Sequence, residues 1–314
     1  MKKIYCVISV FAISFSFLFA QNQRLIDDAI TRIGNGELTF KSLDKVIKGA
    51  DKTGVDDIIR VCSDTITERR VSAYILLKIV GKKTESDDIK QECLKTFVEG
   101  LNDTETEISA RCVRSVTEYD RDLVTEDIIA DLEGNTLNLR INKSEIIKYF
   151  GYLGGERAKR YLDKIAKEDT LLTNIDKWNI KLAKSRCGDT EAANYCLTRV
   201  KRLSVNDDFI YEIVPDLIYT GSRQLIDYVV DIMLSKEKNC SSANSEVDTK
   251  ILCGYRVMEM LASVIVDFPI KIDDSGELDT DDYITALKEC CKWIENKRDS
   301  YEILVDSYNP TDYL

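Results

Sequence analysis

The sequence predicts an all-α protein, an α-solenoid of stacked helical hairpins. Three observations predict it: apolar helical segments recur at a steady interval, turn-formers are scarce, and the recurring segments end at glycine. With 3 prolines and 14 glycines in 314 residues, the chain has too little punctuation for a sandwich of short strands. Its 44% hydrophobic content supplies a core, while 32% charged residues are too many for a membrane bundle.

The N-terminus stands apart. Lys2 and Lys3 precede an apolar run from Ile4 to Phe19, followed by Ala20 and the polar Gln21-Asn22-Gln23, the layout of a secretory signal peptide. Cleavage is expected after Ala20. A run broken by Ser9, Ser14 and Ser16 is short for a bilayer span, so the expectation is export to the periplasm or cell exterior without stable membrane insertion. Residues 21–66, with "RLIDDAITRI" and "VDDIIRVC", read as N-terminal capping helices.

Residues 67–238 carry the repeat. "VSAYILLKIVG", "ISARCVRSVTE", "SEIIKYFGYLG", "NIKLAKSRCG" and "IYEIVPDLIYTG" end at positions 81, 118, 154, 188 and 221, giving spacings of 37, 36, 34 and 33 residues. A second amphipathic segment follows in several units: Ile89, Cys93, Leu94 and Phe97; Ala158, Tyr161, Leu162 and Ile165; Ala192, Ala193, Cys196, Leu197 and Val200. Gly81, Gly154, Gly188 and Gly221 are expected as left-handed helix C-caps. Thr104 with Glu107 reads as a capping box, and Asp189 as the cap of the helix after Gly188. A lone hairpin has two apolar faces and cannot hide both, so the units must stack.

"GDTEAANYCL" (Gly188 to Leu197) and "LNDTETEISARCVRSV" (Leu101 to Val116) resemble HEAT repeats of the phycobilisome-lyase type, with Pro215 where first helices of that family often kink. The resemblance extends over about residues 67 to 236 and departs from the pattern at Arg121 and at Gly155-Glu156. It implies a scaffold whose second helices line a concave binding face. Tetratricopeptide units lack their Trp, Leu-Gly and Tyr positions here, and ankyrin's Thr-Pro-Leu-His is impossible in a chain with no histidine.

Residues 239–314 read as a polar loop, "NCSSANSEVD", then helices near Thr249 to Asp267 and Thr280 to Glu295, and an aromatic tail with Tyr301, Tyr308 and Tyr313 expected to pack on the last hairpin. In "KIDDSGELDTDD", Gly276 holds the sixth place of a calcium-loop register. Lys271 in the first ligand place defeats the site, leaving acidic residues at a helix N-terminus.

Ten cysteines less Cys6 in the leader leave nine, so at least one thiol cannot pair within the chain. Cys62, Cys93, Cys112 and Cys196 fall on apolar helical positions. Cys187 with Cys196, and Cys240 with Cys253, are each spaced to bridge a turn, and spacing leaves both pairings open. The absence of histidine and CxxC argues against zinc, and no cofactor or catalytic residue is expected. Imidazole-based hydrolysis is excluded, and no Gly-rich phosphate loop occurs. The alternative class is an exported α/α-toroid carbohydrate enzyme using carboxylate or tyrosine chemistry. Only Trp178 and Trp293 offer indole stacking for it.

Net charge is −11, or −13 without the leader, which disfavours nucleic acid and anionic membrane. The charge is uneven: residues 139–202 hold 15 Lys or Arg against 8 Asp or Glu, while residues 21–138 hold 17 against 24 and residues 203–314 hold 10 against 23. Arg160, Lys164 and Lys167 share one helix side, with Arg199 and Arg202 on the next second helix, so these five are the expected ligand-binding strip. An acidic protein segment or anionic glycan is the matching ligand, and self-association of the basic middle with an acidic end is the related reading.

Overall fold

The computed structural model describes residues 23–37, 52–242, 249–273 and 276–304. The N-terminal run expected to act as a signal peptide, Tyr308 and Tyr313 lie outside the described residues. Among the described residues the fold is all-α apart from one short hairpin, and the chain divides into two compact units, the first ending at Ile146 and the second beginning at Ile147. Among the described residues, no helix is long and apolar enough to cross a membrane.

The first unit contains α1 (23–34), α2 (Lys52–Cys62), α3 (Thr67–Lys83), α4 (Asp87–Glu99), α5 (Thr106–Val116) and α6 (Glu126–Asn138). Each of α2 to α4 packs on the next helix and the next but one, the nearest-neighbour pattern of a solenoid. Leu76, Leu77, Leu94, Phe97, Leu101, Ile108 and Val113 form a fully buried core. Ser86 caps α4 through the Ile89 N–H, and Thr125 caps α6 through the Ile128 N–H.

Two local expectations fail in this unit. Helix α3 runs past Gly81 to Lys83, so Gly81 is not a C-cap. It is buried, and a Cβ there would collide with the Tyr119 hydroxyl, so the position needs absence of a side chain rather than a left-handed backbone. The Thr104–Glu107 capping box does not form, because α5 begins at Thr106 after an uncapped Glu105. Asp103 organises that turn instead, accepting from the Glu105 N–H at 2.8 Å and from Arg70 at 3.0 and 3.2 Å.

Helix α7 (Lys143–Leu153) crosses the division, and the second unit continues with α8 (Gly155–Glu168), α9 (Asn174–Arg186), α10 (Thr190–Val200), α11 (Val214–Tyr219), α12 (Arg223–Leu234), α13 (Gly254–Ala262) and α14 (Tyr283–Lys297). Gly154, Gly188 and Gly221 take the expected positive φ, at 69°, 83° and 58°. At Gly188 this turns the chain so that Asp189 caps α10 through the Ala192 N–H at 3.0 Å. Pro215 lies in the first turn of α11, directly after a π-helical turn, Phe209–Ile213, which absorbs the break that a missing N–H makes in the ladder.

The helix expected from Thr249 to Asp267 is shorter. Cys240 and Cys253 form a disulfide, which returns the chain as a hairpin of β1 (Cys240–Ser241) and β2 (Lys250–Ile251) before α13 can start. Asp267, at φ 56°, lies beyond its end. The other open pairing is not made: Cys187 and Cys196 are both free, and Cys196 is buried like Cys62, Cys93 and Cys112. Asp282 caps α14 through the Ile284 and Thr285 N–H groups, the role expected of the acidic loop. The aromatic tail packs at its described start, where buried Tyr301 donates to Asp227 at 2.7 Å beneath the Arg223 guanidinium.

Candidate functional site

The hairpin of α9 and α10 presents a face where cations and rings alternate. Capping is strong at both starts: Thr173 and Asp176 form a reciprocal capping box on α9, and Asp189 caps α10. Asp189 also joins Lys184 at 3.1 Å, and Lys184 reaches Asp163 of α8 at 2.7 Å. Burial opposes ionisation of Asp189, but the Ala192 N–H and the Lys184 ammonium outweigh it and hold the carboxyl below its ordinary range.

Across the hairpin, the Arg199 guanidinium lies 5.8 Å from the Trp178 ring and the Lys181 ammonium 5.3 Å from the Tyr195 ring. The two contacts are in antiparallel register, since Trp178 and Lys181 are three apart on α9 while Tyr195 and Arg199 are four apart on α10. Tyr195 is 47% exposed, and Ile175 and Leu171 beside the start of α9 are 66% and 80% exposed.

The indole is fixed from behind. Trp178 Nε1 donates to Asp216 of α11 at 2.6 Å, and the other oxygen of Asp216 accepts from Lys148 of α7 at 2.6 Å. Lys148 also lies 5.4 Å from the Tyr219 ring, and Arg186 sits by both Tyr152 and Tyr219 while donating to the Tyr219 carbonyl. Three helices therefore hold one aromatic platform.

All five residues of the sequence-derived strip are exposed. Arg160, Lys164 and Lys167 lie on α8, Arg199 in the last turn of α10, and Arg202 in the turn that follows it. Among the described residues no hydrogen bond, ion pair or ring contact joins the α8 group to the α10 group. Helix α9 packs on both α8 and α10 and supplies the ring that engages Arg199. Sequence reasoning missed Trp178, Lys181, Tyr195 and Asp216. A signal existed for the first three: Lys181 and Tyr195 are equally distant from Gly188, and Trp178 and Arg199 nearly so, which pairs them across an antiparallel turn.

Burial pushes the Cys196 thiol up to about 12 and the Cys187 thiol up to about 11, away from nucleophilic thiolates. Among the described residues no cluster of cysteines and carboxylates is arranged to hold a metal. A groove in the first unit, about 550 Å³, has carboxylates at Asp56, Asp88, Glu92 and Asp127 but no aromatic ring in its lining.

No family model and no curated protein matches the chain. Among solved structures it is similar to an archaeal HEAT-like repeats protein from Thermococcus onnurineus NA1, at 12% identity and a TM-score of 0.37, over 91% of this chain and 98% of that one. A likeness this low decides nothing about the fold, and the all-helical assignment stands on the helices described above.

Proposed function

We propose that the chain is an exported HEAT-like scaffold without chemistry of its own, and that the α9–α10 face receives an acidic protein segment with apolar anchors. The observation that carries this reading is the pair of cross-hairpin contacts, Trp178 with Arg199 and Lys181 with Tyr195, on an exposed face. Rings hold the cations in place without neutralising them, so a carboxylate meets prepositioned donors, and Ile175 and Leu171 offer apolar contact beside them. Arg202 extends the basic edge of this face, and Arg160, Lys164 and Lys167 on α8 add long-range attraction.

A sugar cleft of the toroid kind is the poorer reading, because one carboxylate-lined groove of the first unit has no ring in its lining and another has only Tyr74, whose ring is buried and gives a sugar little surface to stack on. Export rests on the N-terminal segment and gains support from the Cys240–Cys253 bridge, a bond that persists in oxidising compartments. The net charge of −11 continues to weigh against nucleic acid.

The test uses a fluorescent peptide in which Glu alternates with Leu and Phe, titrated by anisotropy at low and high salt. Arg160→Glu with Arg199→Glu is expected to weaken binding about a hundredfold, roughly tenfold per reversed charge, and to flatten the salt dependence. Unchanged affinity overturns the reading. Equal binding of a sulphated polysaccharide, insensitive to Trp178→Ala, transfers the site to anionic glycans and overturns the protein-segment assignment. Export is checked by the mass of the protein recovered outside the cytoplasm, expected to begin near Gln21.

A further inference from the structure

The first unit has a surface of the opposite character. Helices α2, α4 and α6 enclose the groove of about 550 Å³, with Val55, Ile89 and Ile128 in its apolar lining and Asp56, Asp88, Glu92 and Asp127 around it. Val55 and Ile128 are 1% and 4% exposed, while all four carboxylates are exposed. Among the described residues none of the four takes part in an ion pair, although Asp88 and Asp127 stand in the first turns of α4 and α6, where the helix dipole favours a negative charge. Lys52 and Lys95 share the lining, which leaves it net negative.

The second unit carries the complement. Its α9–α10 face offers Lys181, Arg199 and Arg202 around Trp178 and Tyr195, also without carboxylate partners among the described residues. An apolar floor with an acidic rim matches an aromatic platform with a cationic rim in both sign and polarity. The molecule as a whole is strongly acidic, so two copies repel each other unless such a local match overcomes the repulsion.

We infer that the acidic groove of the first unit receives the α9–α10 face of a second copy of this chain. The inference rests on the reading of that face as a binding surface. Groove and face are different surfaces, so the contact is heterologous: a pair joined by one such contact keeps one groove and one face unused, and association continues beyond two unless a ring closes.

Sedimentation velocity of the full chain over a wide concentration range, at low and high salt, tests it. The weight-average mass is expected to rise past the dimer with concentration at low salt and to fall toward the monomer at high salt. Asp88→Lys with Glu92→Lys in the groove, and Arg199→Glu with Arg202→Glu on the face, should each weaken association at least about tenfold. An equimolar mixture of the two variants should associate again, since the groove of one and the face of the other are unaltered while their reversed surfaces also match. Circular dichroism checks helix content, and Asp88→Asn with Glu92→Gln, which leaves no reversed charge on α4, should weaken association by a smaller factor.

A monomer at every concentration, or association that the groove variants leave unchanged, overturns the inference. The acidic peptide separates the two proposals. Groove variants should still bind it with wild-type affinity, whereas failure of the face as a site shows as peptide binding that Arg199→Glu with Arg202→Glu does not alter.

Discussion

Tyr219 lays its hydroxyl against the backbone of Gly151 and donates to the Lys148 carbonyl at 2.6 Å. A Cβ at position 151 would collide with that hydroxyl and crowd Ala183, so an intrinsically poor helix residue is required inside α7. The same device recurs at Gly81, where the Tyr119 hydroxyl takes the space, and at Gly100, where the Tyr74 hydroxyl does. Gly151→Ala is expected to destabilise the protein by about 1 to 3 kcal/mol through overpacking, despite the better helix propensity of alanine. Tyr219→Phe should cost about 1 kcal/mol for the lost hydrogen bond. Urea unfolding followed by circular dichroism measures both, and a stabilised Gly151→Ala protein would contradict the packing described.

Asp189 couples the hairpin to pH. Its folded carboxyl lies below the ordinary carboxylate value, so its contribution is complete above that value and is lost as pH falls through the lower, folded one. Asp189→Ala is expected to cost about 1 kcal/mol as a lost N-cap and to flatten the acid limb of the stability profile below about pH 4. Denaturant midpoints measured from neutral to acid pH check it. A variant whose loss of stability is the same at acid and neutral pH would show that the carboxylate is not the coupled group.

The Cys240–Cys253 bond closes a short loop, with a sequence separation of 13. Chain-entropy arguments put its contribution at about 3 kcal/mol. Reductant, or Cys240→Ser with Cys253→Ser, should lower the melting temperature by a matching amount. The β1–β2 hairpin keeps a partial hold through Asp207, which accepts from the Ser241 N–H and pairs with Arg256. Identical melting curves with and without reductant would argue that the bond contributes nothing.

Thiol labelling should divide the cysteines into two groups. Cys187 and Cys291 are half-buried, while Cys62, Cys93, Cys112, Cys196 and Cys290 are buried. Burial pushes the Cys93 and Cys290 thiols up to about 12, so both reactivity and access are low there. Peptide mapping after iodoacetamide at mildly alkaline pH should find slow modification of Cys187 and Cys291 in the folded protein. The other five should react only in denaturant, and fast native labelling of Cys93 or Cys290 would place them elsewhere than in the core.

Much of the architecture was legible because it rests on local causes. A helix with apolar residues at three- and four-residue intervals must bury one side, and Gly188 followed by Asp189 determines a turn and a cap within a few residues, whatever surrounds them. The helical class, the hairpin about Gly188, the positive φ at Gly154, Gly188 and Gly221, and the burial of four cysteines all follow from such rules. Partner choice over distance does not. Gly81 looks like a cap in the sequence and is instead a slot for Tyr119, because the decisive atom arrives from 38 residues away. Thr104 and Glu107 have capping spacing, yet Asp103 is drawn to Arg70 and re-sets the start of the helix. The five exposed cations could be named from charge and periodicity alone. The pairing of Arg199 with Trp178 could be read from their near-equal distances from Gly188, whereas the hold of Asp216 and Lys148 on the indole was decided only when α7, α9 and α11 came together, since contacts between helices distant in sequence depend on packing that no local pattern encodes.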